Sequence, residues 1–400
     1  MNLIFFVHPS FLEQQSMIRY ARMLSEGMKK RGHQVQVWSP KPRFFQFGVT
    51  QSIKKWLGYI DQYIEFPIVA RRLISKCPDD TLFIFTDHAL GPWVPLVARR
   101  PHIIHCHDFL AQRSALGEIP RNRTGFTGRI YQALIRKGYK QGRNFISISN
   151  KTRQDLHRFL PARPLLSKVV YNGLNQAFTP SDATTAGVVL GDKFGLDLTY
   201  GYLLHIGGNQ WYKNRPGVIK IYDTWRSKGK TALPLLMMGQ YPDKVLSKAW
   251  SNSSFKSDIH ILSDIEDKYI ALAYNGANVF LFPSIEEGFG WPIAEAMASG
   301  CPVITTDQAP MTEVAGNAAF LIPPAPYDEV SFEDWVKEAA TVLDKVVNLI
   351  PLNRNKVTNE GLKNIQRFSP ESMLNEIENI YKDVILAENN PLTSQVKSYT

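Results

Sequence analysis

Residues 279–306 read Val-Phe-Leu-Phe-Pro-Ser-Ile-Glu-Glu-Gly-Phe-Gly-Trp-Pro-Ile-Ala-Glu-Ala-Met-Ala-Ser-Gly-Cys-Pro-Val-Ile-Thr-Thr. An apolar run to Phe282 predicts a buried strand. Glu286, Glu287, Gly288 and Gly290 predict a loop. Trp291-Pro292 opens a helix, Gly300 stops it, and Pro302-Val303-Ile304 starts the next strand. This is a strand–loop–helix–strand unit of a parallel sheet. Its Gly-containing loop and helix N-terminus lie at the carboxyl end of a strand, where open α/β sheets bind ligands. Free amides there, with the helix dipole behind them, favour an anion such as a pyrophosphate. Glycines let the backbone come close to it. Glu287, in the loop, is placed to meet sugar hydroxyls, and Glu295, in the first helical turns, to accept from a ribose diol. The plainer alternatives are a solvated loop acid and a carboxylate that complements the helix dipole.

Working outward, the same pattern recurs in both directions. Leu3–Val7 is a predicted strand and 16–31 a helix, with Met17, Tyr20, Ala21, Leu24 and Met28 at helical spacing. Gly32 follows Lys29-Lys30-Arg31 as its stop, and Gln34–Trp38 is the next strand. Further short buried strands are expected at 82–85, 102–105, 144–147 and 167–170, then at 202–206, 233–238, 259–261, 279–282 and 302–304. The small, polar and Gly-rich stretch 181–198 interrupts the series and is assigned as a linker. The expectation is therefore α/β, with two Rossmann-like doubly wound domains facing a cleft. They span 1–180 and 199–367, followed by a helix over 368–387 and a frayed tail at 388–400.

The chain has 400 residues, 44% of them apolar, which suits two domains better than one. Three cysteines without a Cys-x-x-Cys suggest neither a zinc site nor a disulfide framework, and fit a reducing compartment. The opening Met1–Pro9 reads as a strand rather than a signal peptide, and no stretch approaches a spanning helix. A cytoplasmic protein is expected, with peripheral contact at the cytoplasmic membrane face as a further option. The net charge of +10 is uneven: residues 1–180 hold 27 Lys+Arg against 10 Asp+Glu, or +17, leaving −7 for the remainder. The asymmetry suggests an acidic partner for the first half, with an anionic membrane, a lipid pyrophosphate or nucleic acid as candidates; a merely solubilising bias is the plainer alternative. Between 41 and 76 basic and aromatic residues interleave, which fits such a surface, although snorkelling cations on an ordinary helix give the same pattern. No nucleic-acid motif is present.

Taken together, the segment around Glu287 resembles the retaining glycosyltransferases of family 4 (group 1), which have the GT-B fold. Glu287 and Glu295 are separated by seven residues, as the two signature glutamates of that family are, and the surrounding Gly288-Phe289-Gly290, Ala296-Met297-Ala298 and Gly300-Cys301-Pro302 match as well. The resemblance extends over most of the chain. It implies that the C-terminal helix packs back on the first domain. It also implies donor binding by Glu295, Gly288, Phe289 and Gly290, and catalytic roles for Glu287, Lys213 and His107. In the loop Gly207-Gly208-Asn209-Gln210-Trp211-Tyr212-Lys213, Lys213 matches the family's diphosphate-binding lysine. The usual neighbouring Arg is missing, so Arg215, with Asn209 nearby, is the candidate replacement. His107, in His105-Cys106-His107-Asp108, matches a His that faces the transferred sugar; a metal site is not expected there. Ser16 stands, with Gln15, where the family usually has two glycines whose amides approach the donor phosphates.

What the resemblance implies is transfer of a sugar, with retention, from a nucleoside-diphosphate sugar to a hydroxyl of a glycan or lipid-linked acceptor. No Asp-x-Asp is present to anchor a metal-bound diphosphate, and no cofactor is expected beyond the donor substrate. The competing readings are a nucleotide-sugar epimerase or phosphorylase on the same fold, and a non-catalytic carbohydrate-binding protein.

Overall fold

The computed structural model describes residues 1–11, 15–174, 178–229 and 232–389, with the side chains of Gln15, Ser16 and Asn389 outside that description. The chain divides into two compact units, Met1–Tyr171 with the returning C-terminal segment from Pro370, and Asn172–Ser369.

Unit 1 holds β1 (Asn2–Phe6), α1 (Gln15–Lys30), β2 (Gln34–Trp38), α2 (Gln51–Ile60), α3 (Phe66–Ile74), β3 (Leu82–Phe85), β4 (His102–Cys106), α4 (Leu110–Ala115), α5 (Phe126–Tyr139), β5 (Asn144–Ser147), α6 (Asn150–Phe159) and β6 (Leu166–Val169). Its six strands are parallel in the order β2-β1-β3-β4-β5-β6. Strands β3 and β4 are buried along their whole length, as apolar runs covered by helices on both faces must be. Ser149 caps α6 by accepting from the Thr152 amide. A five-residue π-helical turn at Asp61–Glu65 joins α2 to α3, and the buried Asp61 carboxylate accepts from the amides of Phe44 and Phe45 at 2.8 and 2.9 Å.

Unit 2 holds α7 (Ala183–Phe194), β7 (Tyr202–Gly207), α8 (Arg215–Lys228), β8 (Leu235–Gly239), α9 (Lys244–Ser251), β9 (Ile259–Ser263), α10 (Asp267–Gly276), β10 (Ala277–Phe282), α11 (Trp291–Ala298), β11 (Val303–Thr306), α12 (Met311–Ala315), β12 (Phe320–Ile322), α13 (Glu329–Val347) and α14 (Pro351–Asn364). Its parallel order is β12-β11-β10-β7-β8-β9. The run 181–198, expected to be a linker, is instead mostly the helix α7. Asp182 caps it through the Thr185 amide, Gly195 closes it at φ 67°, and it packs on α10. Its glycines are contact surfaces rather than breakers: a Cβ on Gly191 would lie 2.6 Å from the Leu196 carbonyl oxygen.

The chain then returns to unit 1 through α15 (Pro370–Asn389), as the resemblance implied. Met373, Leu374, Ile377, Ile380, Tyr381 and Val384 pack into the core formed by Leu3, Phe5, Leu24, Leu82, Ile84 and Ile103. Arg31 reinforces the join through Glu371 and Asn375. At the centre of this packing the fully buried His105 ring bridges two tyrosine hydroxyls, Tyr20 at 2.9 Å on Nδ1 and Tyr381 at 2.8 Å on Nε2. Burial, with the neighbouring His107, pushes its pKa down to about 3. A neutral imidazole has one N–H, so one hydroxyl donates to the ring and the other accepts from it.

Candidate functional site

In unit 2 the strand order reverses beside β7: β8 lies on one flank and β10 on the other. Crevices at such points, outside the carboxyl ends of the strands, are where doubly wound sheets take ligands. The loop after β7 carries Asn209 and Lys213, with Arg215 opening α8; the loop after β10 carries Glu286–Gly290. Their amides interlock, Ile285 N donating to the Tyr212 carbonyl at 2.7 Å.

Lys213 and Glu287 meet across this point, with Nζ 2.6 Å from Oε1 and both side chains largely buried. The ammonium also lies 5.0 Å from the Phe282 ring centre and 5.5 Å from that of Tyr212. The two residues singled out for sugar and phosphate chemistry are thus direct partners. Gly290 precedes α11 at φ 107°, a conformation that favours glycine. Phe289 is buried against Phe368, ring centres 5.5 Å apart, which anchors the loop beneath Gly288. Glu295 projects from α11 and accepts from the Tyr274 hydroxyl at 3.1 Å through Oε2.

Arg215 opens α8 and is 2% exposed. Its Nη1 donates to Asn209 Oδ1 at 2.5 Å and to the Gln240 carbonyl at 2.9 Å, while Nε and Nη2 have no hydrogen-bond partner. No carboxylate among the described residues pairs with it. Burial lowers its pKa, only partly offset by Asp243. Asn209 is fixed in turn by donating Nδ2 to the Tyr241 carbonyl at 2.6 Å. Behind this group the fully buried His205 donates from Nδ1 to the Leu281 carbonyl at 2.9 Å and leaves Nε2 without a partner. Burial, with Arg215 and Lys213 nearby, drives its pKa down to about 3, so the ring is neutral. Two cations and an uncharged imidazole therefore crowd one strand end, where Glu287 pairs with Lys213 and no described carboxylate pairs with Arg215. Such a place is electrostatically prepared for an anion.

His107 belongs to unit 1, one residue past β4. Its Nε2 lies 2.8 Å from the Thr86 carbonyl, which only accepts, so Nε2 carries the proton and Nδ1 presents a lone pair. Burial lowers its pKa despite Asp87 and Thr86. Its edge-on contact with Tyr20 at 4.5 Å fixes the ring plane. Ser16 lies in the first turn of α1, and its side chain and that of Gln15 are outside the described residues. Among the described residues no group of three or more His, Cys, Asp or Glu side chains is placed to hold a metal ion.

Sequence reasoning missed Tyr274, Gln240, His205, His8 and Asp87. Each lies on or beside a strand or helix whose apolar pattern reads as core, and their partners are 21 to 79 residues away. For His8 and Asp87 a signal was available: His8 directly follows one predicted strand and Asp87 lies two residues past another, both at carboxyl ends.

Two family models match adjoining parts of the chain: "Glycosyltransferase Family 4" over residues 17–178 and "Glycosyl transferases group 1" over residues 191–339. O-antigen chain mannosyltransferase B of Escherichia coli is 29% identical over 184 residues, 46% of this chain and 46% of that protein, so the match spans under half of that relative. O-antigen chain mannosyltransferase RfbU of Salmonella typhimurium is 23% identical over 305 residues, 74% of each chain. Among solved structures, sucrose-phosphate synthase from Thermosynechococcus elongatus superposes with a TM-score of 0.71 at 16% identity, over 97% of this chain and 100% of that one. Anabaena HepE, solved in complex with UDP and glucose, superposes with a TM-score of 0.69 at 16% identity, over 96% and 100%. At such identities the structural likeness speaks for the fold alone. With the two models tiling both units and the loop around Glu287 and Glu295 in place, the chain belongs to the group 1, family 4 glycosyltransferases.

Proposed function

We propose that the protein transfers a hexosyl group from a nucleoside-diphosphate sugar to a hydroxyl of a glycan or lipid-linked acceptor, with retention and without a metal ion. The observation that carries this reading is Arg215: a guanidinium 2% exposed, unpaired by any described carboxylate, with two unpartnered nitrogens, beside Lys213 at the switch point of unit 2. Leaving a buried charge uncompensated is costly, and proteins keep such groups where a ligand supplies the counter-charge. A diphosphate has the charge, and the amides opening α11 add to its field.

In this reading Lys213 leaves Glu287 for the diphosphate and, with Arg215, stabilises the charge that develops on the leaving phosphate. Glu287, released, accepts from hydroxyls of the transferred sugar. Glu295, oriented by Tyr274, accepts from the ribose diol, and His107 offers its Nδ1 lone pair to a sugar hydroxyl. Attack and departure share one face of the anomeric carbon, and the leaving phosphate takes the proton of the acceptor hydroxyl. The named activities of the two relatives put mannosyl transfer first among those to test.

Peripheral contact with an anionic membrane is a further part of this reading. Phe47, Val49 and Trp56 are 72%, 85% and 59% exposed, beside exposed Lys41, Arg43 and Lys55. That mixture suits an interface of headgroups and acyl chains. No described helix is long and apolar enough to cross a membrane.

The test is a thermal-shift panel of UDP-, GDP-, ADP-, dTDP- and CMP-sugars in EDTA, GDP-mannose among them. A ligand at 100 times its dissociation constant adds about 2.7 kcal/mol of stability. One clear hit, followed by turnover to a product of unchanged anomeric configuration, supports the proposal. No shift at millimolar ligand, or turnover only after metal is restored, refutes the corresponding part.

A further inference from the structure

Unit 1 has a switch point of its own. β1 is flanked by β2 on one side and β3 on the other, and the register pairs Phe6 with Phe85 at their carboxyl ends. His8 and Asp87 each lie two residues beyond that pair, so they are level with one another. His8 Nε2 is 2.9 Å from Asp87 Oδ2, and His88 Nδ1 is 2.9 Å from Asp87 Oδ1. All three residues are buried.

We propose that His8 binds a hydroxyl of the sugar acceptor, with Asp87 as the residue that positions it. This rests on the transferase reading above and adds a residue for its second substrate. An ionised carboxylate accepts only, so it holds the proton on Nε2 and, in the neutral ring, turns Nδ1 into a hydrogen-bond acceptor. The same logic orients the histidine of a hydrolytic triad. Among the described residues Nδ1 has no partner, and the side chain keeps 7% of its surface exposed. The backbone is pinned independently, Ser39 Oγ donating to the His8 carbonyl at 3.2 Å.

The contrast with His105 separates a structural histidine from this one. His105 has no exposure, and both its nitrogens are occupied by tyrosine hydroxyls. His8 has one nitrogen committed to a carboxylate and the other uncommitted, at the edge of the sheet where ligands bind. His107, one residue past the adjacent β4, also presents an Nδ1 lone pair. The charges facing this group decide the ligand class. Asp87 is the carboxylate in contact with His8; Asp108 and His88 stand nearby. Uncharged lone pairs backed by a carboxylate repel a phosphate and suit a neutral polyol, so the group recognised is a sugar hydroxyl.

The experiment uses the full chain labelled with 15N at histidine, saturated with UDP or GDP and titrated with methyl α-D-mannopyranoside as a neutral hexoside. The expected result is His8 as the Nε2–H tautomer, with an Nδ1 shift that moves saturably while the His105 and His205 signals stay fixed. Asp87→Asn loses the tautomer preference and weakens the response. In turnover assays His8→Ala raises the acceptor KM about three- to tenfold, the worth of one hydrogen bond, and leaves the donor KM within about twofold. An Nδ1–H tautomer, an Nδ1 signal that ignores the hexoside, or an equal rise in donor KM overturns the proposal. If a nucleotide stabilises the chain while His8 stays silent, only this inference fails. If no nucleotide stabilises it, the transferase reading fails first.

Discussion

Lowering the pH from 7 to 5 should destabilise unit 1 in a way that one histidine makes measurable. His105 has a folded pKa of about 3, against about 6.5 for a free imidazole, because burial disfavours its charged form. The folded value is the lower one, so the unfolded chain binds the proton first. Stability is complete above about pH 6.5, declines as the pH falls below it, and levels off only below about 3. At pH 5 the unfolded ring is almost fully protonated and the folded one almost not at all. Integrating the linkage from pH 7 to 5 gives a loss of about 2 kcal/mol for this group. His102, with a folded pKa of about 4 for the same reason, adds a similar loss. His105→Gln should cost about 1–3 kcal/mol at pH 7, because Tyr20 and Tyr381 lose their partner. The variant should then lose about 2 kcal/mol less than the wild type between pH 7 and 5. Urea titrations followed by circular dichroism measure the difference, and exchange of the β4 amides assigns the transition to unit 1. Equal acid losses in both proteins would show that His105 is not held neutral by burial, and the account of the join between α1, β4 and α15 would fall with it.

Three further outcomes bear on the site and the packing. Glu295→Ala should reduce nucleotide affinity about ten- to a hundredfold, the worth of a charged hydrogen bond, whereas Glu287→Gln should keep nucleotide binding and lose turnover; calorimetry with the nucleotide found in the panel separates the two. Arg215→Met should leave the ligand-free melting temperature unchanged or raised, since it removes a buried unpaired cation, and should weaken a nucleoside diphosphate far more than the nucleoside. A lower melting temperature with unchanged diphosphate affinity would make Arg215 structural. Gly138→Ala should cost unit 1 about 1–3 kcal/mol, because its Cβ would lie 2.0 Å from the Gly91 carbonyl oxygen; a wild-type urea midpoint would contradict this close approach of α5 to the 88–96 turn.

Local pattern determined a large part of this protein. Apolar runs such as 82–85 and 279–282 are long enough for strands and too short for helices, and the breaks between them are made of glycine and proline, so a parallel α/β chain is legible without any contact being known. The pairing of Glu287 with Glu295 in a Gly-containing loop is local too, since seven residues of one strand–loop–helix turn separate them. Where local chemistry was ambiguous, the sequence misled. The glycines of α7 look like linker residues because composition alone does not show that the chain after Gly195 folds back, bringing the Leu196 and Leu198 carbonyls against Gly191 and Gly187.

What only tertiary structure decided is which polar groups are paired. Lys213 reaches a carboxylate 74 residues away, His8 one that is 79 away, and His105 a hydroxyl that is 276 away. Arg215 reaches no carboxylate at all among the described residues. Charge and spacing along the chain do not distinguish these four cases. Burial does, because removing water makes each missing or present partner worth enough to fix a tautomer, shift a pKa or hold a site ready for an anion.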